Sequence, residues 1–157
     1  MAETERRIKR GDLALILFSK TRTTRRSTSS TSEGRGRFSP FIRSPGPPVS
    51  TDQMRSLEKN RRRFEELNTE PLGISVDSQP CKAAWVEHLG IKRTRLLADF
   101  WPHGGLAIAL GLFREKHGFS ERANVILDEN QRVAFIRVYP TSELPDIDEV
   151  LSFLKAM

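Results

Sequence analysis

Sulfur chemistry in this chain depends on one side chain, because Cys81 is the only cysteine. It stands in Asp77-Ser-Gln-Pro-Cys81, where Ser78 can cap a helix predicted over residues 79–88. A helix N-terminus lowers the pKa of a thiol, so a resolving or secondary redox role for Cys81 is one interpretation. The other is a small, partly buried side chain. A single cysteine allows no internal disulfide and suits a reducing compartment.

The histidines do not predict a metal or cofactor site. His103, in Trp101-Pro-His-Gly104, has no second histidine or carboxylate at the spacing typical of metal ligands. We expect it to support a loop, and we expect His88 and His117 to lie at the surface. The prediction is therefore no metal and no cofactor.

The positive charge of the chain is concentrated in one segment. The formal net charge is +6, and residues 15–49 contain seven Lys/Arg and one acid, so the remainder of the chain sums to zero. Within that window, residues 19–48 alternate Ser, Thr, Arg, Gly and Pro, a composition typical of disorder. We expect residues 19–47 to be irregular, without a strand. The Arg61–Arg63 run is expected to be a solvated helix face.

From Thr51 onward, hydrophobic spacing predicts alternating helices and strands. Helices are predicted over 51–67, 79–88, 105–113 and from 145 onward, and strands over 72–77, 95–99, 124–128 and 133–139. Ser50 or Thr51 can cap the first helix. This order is that of the thioredoxin fold without its first strands, which should lie in residues 13–49. The expected fold class is α/β and thioredoxin-like, with a central mixed sheet flanked by helices and its N-terminal strands disrupted or missing.

Several separate stretches carry a resemblance to a known family. They are Ile74-Ser-Val-Asp-Ser78, Lys82-Ala-Ala-Trp85, Leu89-Gly-Ile91, Leu97-Ala-Asp-Phe-Trp-Pro-His-Gly104 and Phe119-Ser-Glu-Arg-Ala-Asn-Val-Ile-Leu-Asp128. Together they resemble a bacterial or archaeal peroxiredoxin from Pro48 to the C-terminus, and residues 7–14 resemble the family's start. The resemblance implies an enzyme that reduces hydrogen peroxide and organic hydroperoxides. Its partners would be a thioredoxin-like or other thiol reductant and, by family habit, a second copy in a homodimer.

The chain departs from the family at the residue that carries the chemistry. Peroxiredoxins keep a reactive thiolate in P-x-x-x-T-P-V-C-T, whereas this chain has Gly46-Pro-Pro-Val-Ser-Thr51. Ser50 therefore stands at the position of the peroxidatic cysteine, and Pro47 replaces the motif's threonine. A serine hydroxyl is too weak an acid to serve as the nucleophile, and its oxygen cannot form a sulfenic acid. We expect the chain as it stands to be inactive by the family mechanism.

The resemblance also assigns a role to Arg122, in Ser120-Glu-Arg-Ala-Asn124. Its guanidinium would pair with the thiolate at position 50 and hydrogen-bond the peroxide oxygens. Without the resemblance, the alternative is a surface ion pair with Glu121 or Asp128. We expect the guanidinium to point toward the Ser50 hydroxyl across the start of the first helix.

Residues 15–48 show no family motif, yet their number is right, because counting from Leu13 places Ser50 at the cysteine position. In a frame that joins the last base of one codon to the first two of the next, 15–16 can read P-D and 20–24 can read K-D-Q-N-N. Residues 31–34 can then read D-F-R-G, and 41–48 can read F-H-P-L-A-W-T-P. These are the missing strands and active-site loop in order. We therefore expect a stretch out of frame, with one base lost after Ala14 and one gained near Pro48.

The expected organisation is a domain start at 1–14, an irregular basic segment at 15–48 and a thioredoxin-like domain at 49–157. The N-terminus has acids and no apolar core of a signal, and no apolar run approaches the roughly 20 residues of a membrane span. We expect a cytoplasmic protein with no membrane partner. The runner-up function is a non-catalytic thioredoxin-fold module whose basic N-terminal arm binds nucleic acid or acidic surfaces.

Overall fold

A computed structural model describes residues 36–41, 48–128 and 132–157 of the chain. Their elements, in chain order, are β1 (Gly36–Phe41), α1 (Pro48–Lys59), α2 (Arg61–Glu66), β2 (Thr69–Ser75), α3 (Gln79–Leu89), β3 (Arg95–Ala98), α4 (Gly105–Ala109), β4 (Phe113–Arg114), β5 (Phe119–Ser120), β6 (Arg122–Leu127), β7 (Val133–Tyr139) and α5 (Ile147–Ala156). The order from α1 onward follows the sequence-based prediction, with the short hairpin β4–β5 in addition. None of the described helices is both long and apolar enough to span a bilayer.

The main sheet is mixed and has five strands in the order β3-β2-β1-β6-β7. β1 runs parallel to β2, and β2 runs parallel to β3. β6 is antiparallel to both of its neighbours, β1 and β7. The expected α/β class with a central mixed sheet is confirmed. Because α1 follows β1, it begins at the edge of the sheet where the parallel strands end.

Strand β1 shows that the expectation of an irregular segment over 19–47 is wrong for residues 36–41. β1 lies at the centre of the sheet, pairing with β2 on one side and with β6 on the other. Gly36-Arg-Phe-Ser-Pro-Phe41 has no hydrophobic alternation, so its pairing with two neighbouring strands, and not its own propensity, makes it a strand. Residues 19–35 and 42–47 of that expectation, and the domain start at 1–14, lie outside the described residues.

The first predicted helix begins earlier than expected and is divided in two. α1 begins at Pro48, a residue whose fixed φ suits the first helical position, so neither Ser50 nor Thr51 is its cap. Ser50 lies inside the first turn instead. Asn60 separates α1 from α2, and its side-chain Nδ2 donates to the Ser56 carbonyl at 2.8 Å. The Asn60 amide also donates to the Ser56 carbonyl, at 3.1 Å, so the side chain adds to this main-chain bond at the end of α1.

The two faces of the sheet have separate hydrophobic cores. On one face, α1, α2, α3 and α5 bury a cluster that includes Met54, Leu57, Phe64, Trp85, Ile126 and Val150. On the other, residues of α4 and its C-terminal end pack with Ala123, Val125 and Leu127 of β6. Alternate residues of a strand point to opposite faces. Even-numbered residues of β6 therefore face α1, and Arg122 and Asn124 share that face with Ile126.

We predict that Phe64→Ala lowers the free energy of unfolding by about 3–5 kcal/mol, because it leaves a cavity in a closely packed core. Phe64 is 0% exposed and belongs to the cluster beneath α1 and α5. Urea unfolding followed by circular dichroism measures the change. Arg62→Ala is the matched control on the same helix, because the Arg62 side chain is 86% exposed and forms an exposed ion pair with Glu66. A loss below about 1 kcal/mol for Phe64→Ala would contradict this packing.

Candidate active site around Ser50 and Arg122

Arg122 and Ser50 meet in the interior, between β6 and the first turn of α1. Arg122 Nη2 donates to Ser50 Oγ at 3.4 Å, a long and therefore weak hydrogen bond. The residues are 1% and 0% exposed, respectively. The expectation that the guanidinium points toward the Ser50 hydroxyl is confirmed. The alternative of a surface ion pair is wrong, because Arg122 is buried.

The alternation of side chains along β6 and the point at which α1 begins explain why Arg122 and Ser50 come together. The even-numbered positions of β6 face α1, so Arg122 extends toward that helix while Ala123 faces α4. Because α1 begins at Pro48, the side chain of position 50 lies among the unpaired N–H groups of a first turn. Glu121 instead pairs with Arg114, and the Asp128 carboxylate accepts from the Arg132 amide.

Two further groups hold the guanidinium, and sequence reasoning missed both. Gln53 Oε1 accepts from Arg122 Nη1 at 2.7 Å, and the Thr141 carbonyl accepts from Nε at 3.3 Å. Gln53 is buried, and its Nε2 has no hydrogen-bond partner among the described residues. Its place three residues after Ser50, on the same helix face, was a usable signal. The Thr141 carbonyl follows β7, and nothing in the sequence indicates that it approaches Arg122.

A second polar chain begins at Asn124, on the same face of β6 as Arg122, and runs to the surface. Asn124 Nδ2 donates to the Tyr139 hydroxyl at 3.3 Å, and that hydroxyl donates to Glu149 Oε2 at 3.0 Å. Glu149 also pairs with Arg137. Burial, followed by the Glu149 carboxylate, raises the pKa of Tyr139 to about 12, while the bond from Asn124 partly opposes that rise. The chain connects β6 and β7 to α5.

The site is built to stabilise a negative charge at position 50. The first-turn N–H groups and the dipole of α1 favour an anion there, and the guanidinium adds a full positive charge at hydrogen-bond distance. Gln53 and the Thr141 carbonyl hold the guanidinium in place by accepting from its other N–H groups. Because position 50 is a serine, the guanidinium contacts a neutral hydroxyl group at the place where the arrangement favours an anion.

Cys81 lies elsewhere in the molecule. It is exposed in the first turn of α3, which corrects the expectation of a partly buried side chain. α3 contacts the edge strand β3, whereas Arg122 lies on β6. Strands β2 and β1 separate β3 from β6, a distance of about 14 Å across three strand spacings. The structure therefore brings Ser50 and Arg122 together and leaves Cys81 outside that group.

The remaining predicted polar residues have structural contacts. His103 Nε2 donates to the Gly118 carbonyl at 2.6 Å, so it supports a loop as expected. Arg61, Arg62 and Arg63 pair with Glu65, Glu66 and Asp148, respectively. The solvated helix face is found at Arg62 and Arg63, but the expectation is wrong for Arg61, whose side chain is only 14% exposed and also pairs with Glu70. His88 and His117 are exposed.

We predict that Tyr139 titrates at about pH 12 in the folded chain, some two units above its ordinary value of 10.0. Tyr139 is the only tyrosine, so absorbance at 295 nm reports it alone. Because the folded state holds this proton more tightly, the stability that it contributes is present below pH 10 and is lost as pH rises from 10 to 12. Glu149→Gln should lower the midpoint, and the urea-unfolded chain should titrate near 10. A native midpoint near 10 would contradict the buried hydrogen bonds.

Comparisons with known proteins agree with this fold. The model of the AhpC/TSA family matches residues 17–136, so the match begins inside the segment that shows no family motif. Peroxiredoxin 2 of Thermoplasma acidophilum is 32% identical over 130 residues, which cover 78% of this chain and 64% of that protein. The peroxiredoxin of Ignicoccus hospitalis is 34% identical over 116 residues, which cover 70% of this chain and 49% of that protein. This chain thus spans about half to two thirds of the length of these relatives.

Solved structures give the same result. Mycobacterium tuberculosis AhpC superimposes with a TM-score of 0.71 at 25% identity, covering 79% of this chain and 73% of that one. A cysteine-to-serine mutant of peroxiredoxin 6 from Arenicola marina shares the fold, with a TM-score of 0.69 at 19% identity over 77% of this chain and 60% of that one. With the family model matching most of the chain, the protein belongs to the AhpC/TSA family of peroxiredoxins.

Proposed function

We propose that this chain is a thiol peroxidase by descent, which with cysteine at position 50 reduces hydrogen peroxide and organic hydroperoxides, and that Ser50 leaves the present chain inactive. The observation that carries the proposal is the contact of Arg122 Nη2 with Ser50 Oγ at 3.4 Å in the first turn of α1. The proposed electron donor is a thioredoxin-like or other thiol reductant. A homodimer and a cytoplasmic location are part of the same proposal, the latter supported by the single cysteine.

With cysteine at position 50, the geometry supports a complete reaction. The α1 N-terminus and Arg122 lower the thiol pKa, and the thiolate attacks the distal oxygen of the hydroperoxide. An S–O bond forms as the O–O bond breaks, and the departing alkoxide takes a proton to become an alcohol. The sulfenic acid then reacts with a reductant thiol to give a mixed disulfide and water, and a second thiol of the reductant releases the free cysteine. Arg122 donates to the peroxide oxygens throughout.

Serine at position 50 stops this sequence at its first step. The hydroxyl stays protonated at neutral pH despite the helix terminus and the guanidinium, so no strong nucleophile forms. If a serine alkoxide attacked the hydroperoxide, the product would itself contain an oxygen–oxygen bond, so the peroxide would not be reduced. A cysteine sulfur, by contrast, is oxidised reversibly to a sulfenic acid. The fold of the site is retained and its reactive atom is missing.

We propose further that residues 15–48 are translated out of frame. β1 occupies the centre of the sheet in a mixed arrangement whose inner strands are normally continuous hydrophobic runs, yet its sequence contains Arg37, Ser39 and Pro40. A proline there also removes one donor of the ladder. The alternative-frame readings of 31–34 and 41–48 flank β1 directly, and the family match from residue 17 supports the same length and order.

The rival proposal is a non-catalytic module with a basic arm that binds nucleic acid or acidic surfaces. The family match and the Ser50–Arg122 pair favour the peroxidase, because a binding arm would not require a buried guanidinium at a helix start. Sequencing the gene across codons 12–52 separates the two. An intact frame with serine at position 50 favours the module, and a corrected frame with cysteine favours the peroxidase.

We predict that the present chain consumes no hydrogen peroxide above background in an NADPH-coupled assay with a thioredoxin-type reductant. Ser50→Cys alone should restore little activity, because β1 and the loop before α1 would keep their present residues. The protein with both cysteine at position 50 and the alternative frame across 15–48 should be active. Robust turnover by the present chain would overturn the mechanism and identify Cys81 as the working thiol. An inactive restored protein would refute the frame hypothesis as a functional explanation.

In the restored protein, we predict that Arg122→Met lowers kcat/KM for hydrogen peroxide by about 100-fold, the usual cost of removing one donor to developing charge. The same change should raise the pKa of the cysteine at position 50, measured by the pH dependence of its alkylation. Arg62→Met is the matched control, since that arginine is exposed and pairs with Glu66 at the surface. Equal kcat/KM values for the two variants would remove Arg122 from the chemistry.

A further inference from the structure

Lys82 is a buried amine that the proposed reaction does not use. It lies on the inner face of α3 beside Trp85 and is only 1% exposed. Its Nζ has no hydrogen-bond partner among the described residues. An ammonium in such a place is unfavourable, because neither water nor a partner replaces its lost hydration.

The charged and titratable groups near Lys82 are Asp77, Cys81 and Asp99. Asp77 accepts from the Ser75 hydroxyl at 2.7 Å, and the two oxygens of Asp99 accept from the amides of Leu106 and Ala107, each at 2.9 Å. Both carboxylates are thus engaged by other donors. Burial, the largest effect, lowers the pKa of Lys82 to about 8, and the attraction of Asp77, Cys81 and Asp99 only partly opposes it.

The turn that holds Lys82 in place is weakly anchored. Ser78 is the N-cap of α3, but its side chain makes no capping hydrogen bond. The Lys82 amide donates to the Ser78 carbonyl at 3.0 Å, and Pro80 has no amide to contribute. Gln79, Pro80 and Cys81 are already exposed, so opening this turn would uncover little apolar surface.

We propose that the first turn of α3, residues 78–82, opens locally in the native protein, and that hydration of the Lys82 ammonium drives the opening. In the open turn Lys82 reaches water, beside the single thiol of the chain. Protons therefore favour the open form, because only there is the ammonium solvated.

The pH dependence follows by linkage. Lys82 has a pKa of about 8 when the turn is closed and, once hydrated, its ordinary value of 10.5. Between these values the open form binds more protons, so raising the pH closes the turn. The equilibrium constant for opening of the turn does not change with pH below pH 8. Above pH 8 it falls about tenfold per pH unit until Lys82 is neutral in both forms, a total fall on the order of 100-fold.

Hydrogen exchange of the full chain, measured by mass spectrometry from pH 7 to 9.5, tests the proposal. The amides of Lys82 and Ala83 should exchange at least tenfold faster than those of Val125 and Ile126, which report global unfolding. Their exchange rate should rise tenfold per pH unit up to pH 8 and then level off, since the closing of the turn cancels the rise in intrinsic rate. If the mass envelope of the α3 peptide moves as a single peak, the turn closes faster than its amides exchange, which the expected pH dependence of the rates requires.

Lys82→Met removes the ammonium and nearly preserves the volume, so it should slow these amides about 100-fold at pH 7 and abolish the plateau. Lys92→Met, at an exposed position after α3, is the control and should change neither. The proposal is overturned if the α3 amides exchange no faster than those of β6, if their rates keep rising tenfold per unit through pH 9.5, or if Lys82→Met leaves them unchanged. Should Lys82→Met not fold, the pH profile of the native chain decides alone.

Discussion

The buried guanidinium of Arg122 connects the parts of this structure that matter for function. It joins the first turn of α1 to β6 and to the loop after β7 through Ser50, Gln53 and the Thr141 carbonyl. A fully buried arginine is tolerated only where several acceptors replace its hydration, so each of these contacts constrains the others. The position of α1 along the sheet, and with it the reactive position at residue 50, depends on this arrangement.

The sheet supplies the rigidity that this contact requires. β6 is paired on both sides, with β1 and β7, so the backbone that carries Arg122 has little freedom to move. Asn124, two residues further on the same face, starts a separate polar chain through Tyr139 to α5. One face of a single strand therefore carries both the charge of the site and a second hydrogen-bonded link, to the last helix.

Two cationic side chains are buried among the residues whose burial the structure describes, and their surroundings differ. Arg122 meets three acceptors, two on α1 and one in the loop after β7. Lys82 has no hydrogen-bond partner among the described residues, and both nearby carboxylates are engaged by other donors. The difference comes from geometry. A planar fork of donors can satisfy several acceptors at once, whereas an ammonium must be surrounded by them.

The sequence by itself determined the order of elements from α1 to α5, except for the division of α1 from α2 and the hairpin β4–β5, because hydrophobic spacing and turn residues mark them locally. Through its motifs it also determined the family and the pairing of Ser50 with Arg122. Only the tertiary structure decided that residues 36–41 form the central strand, since the partners of β1 lie at 69–74 and 123–127 and its own residues show no period. The Gln53 and Thr141 contacts and the burial of Lys82 likewise depend on residues distant in the chain. A short stretch of sequence indicates local propensity. A hydrogen bond between strands depends instead on where the fold of the whole chain places the donor and the acceptor.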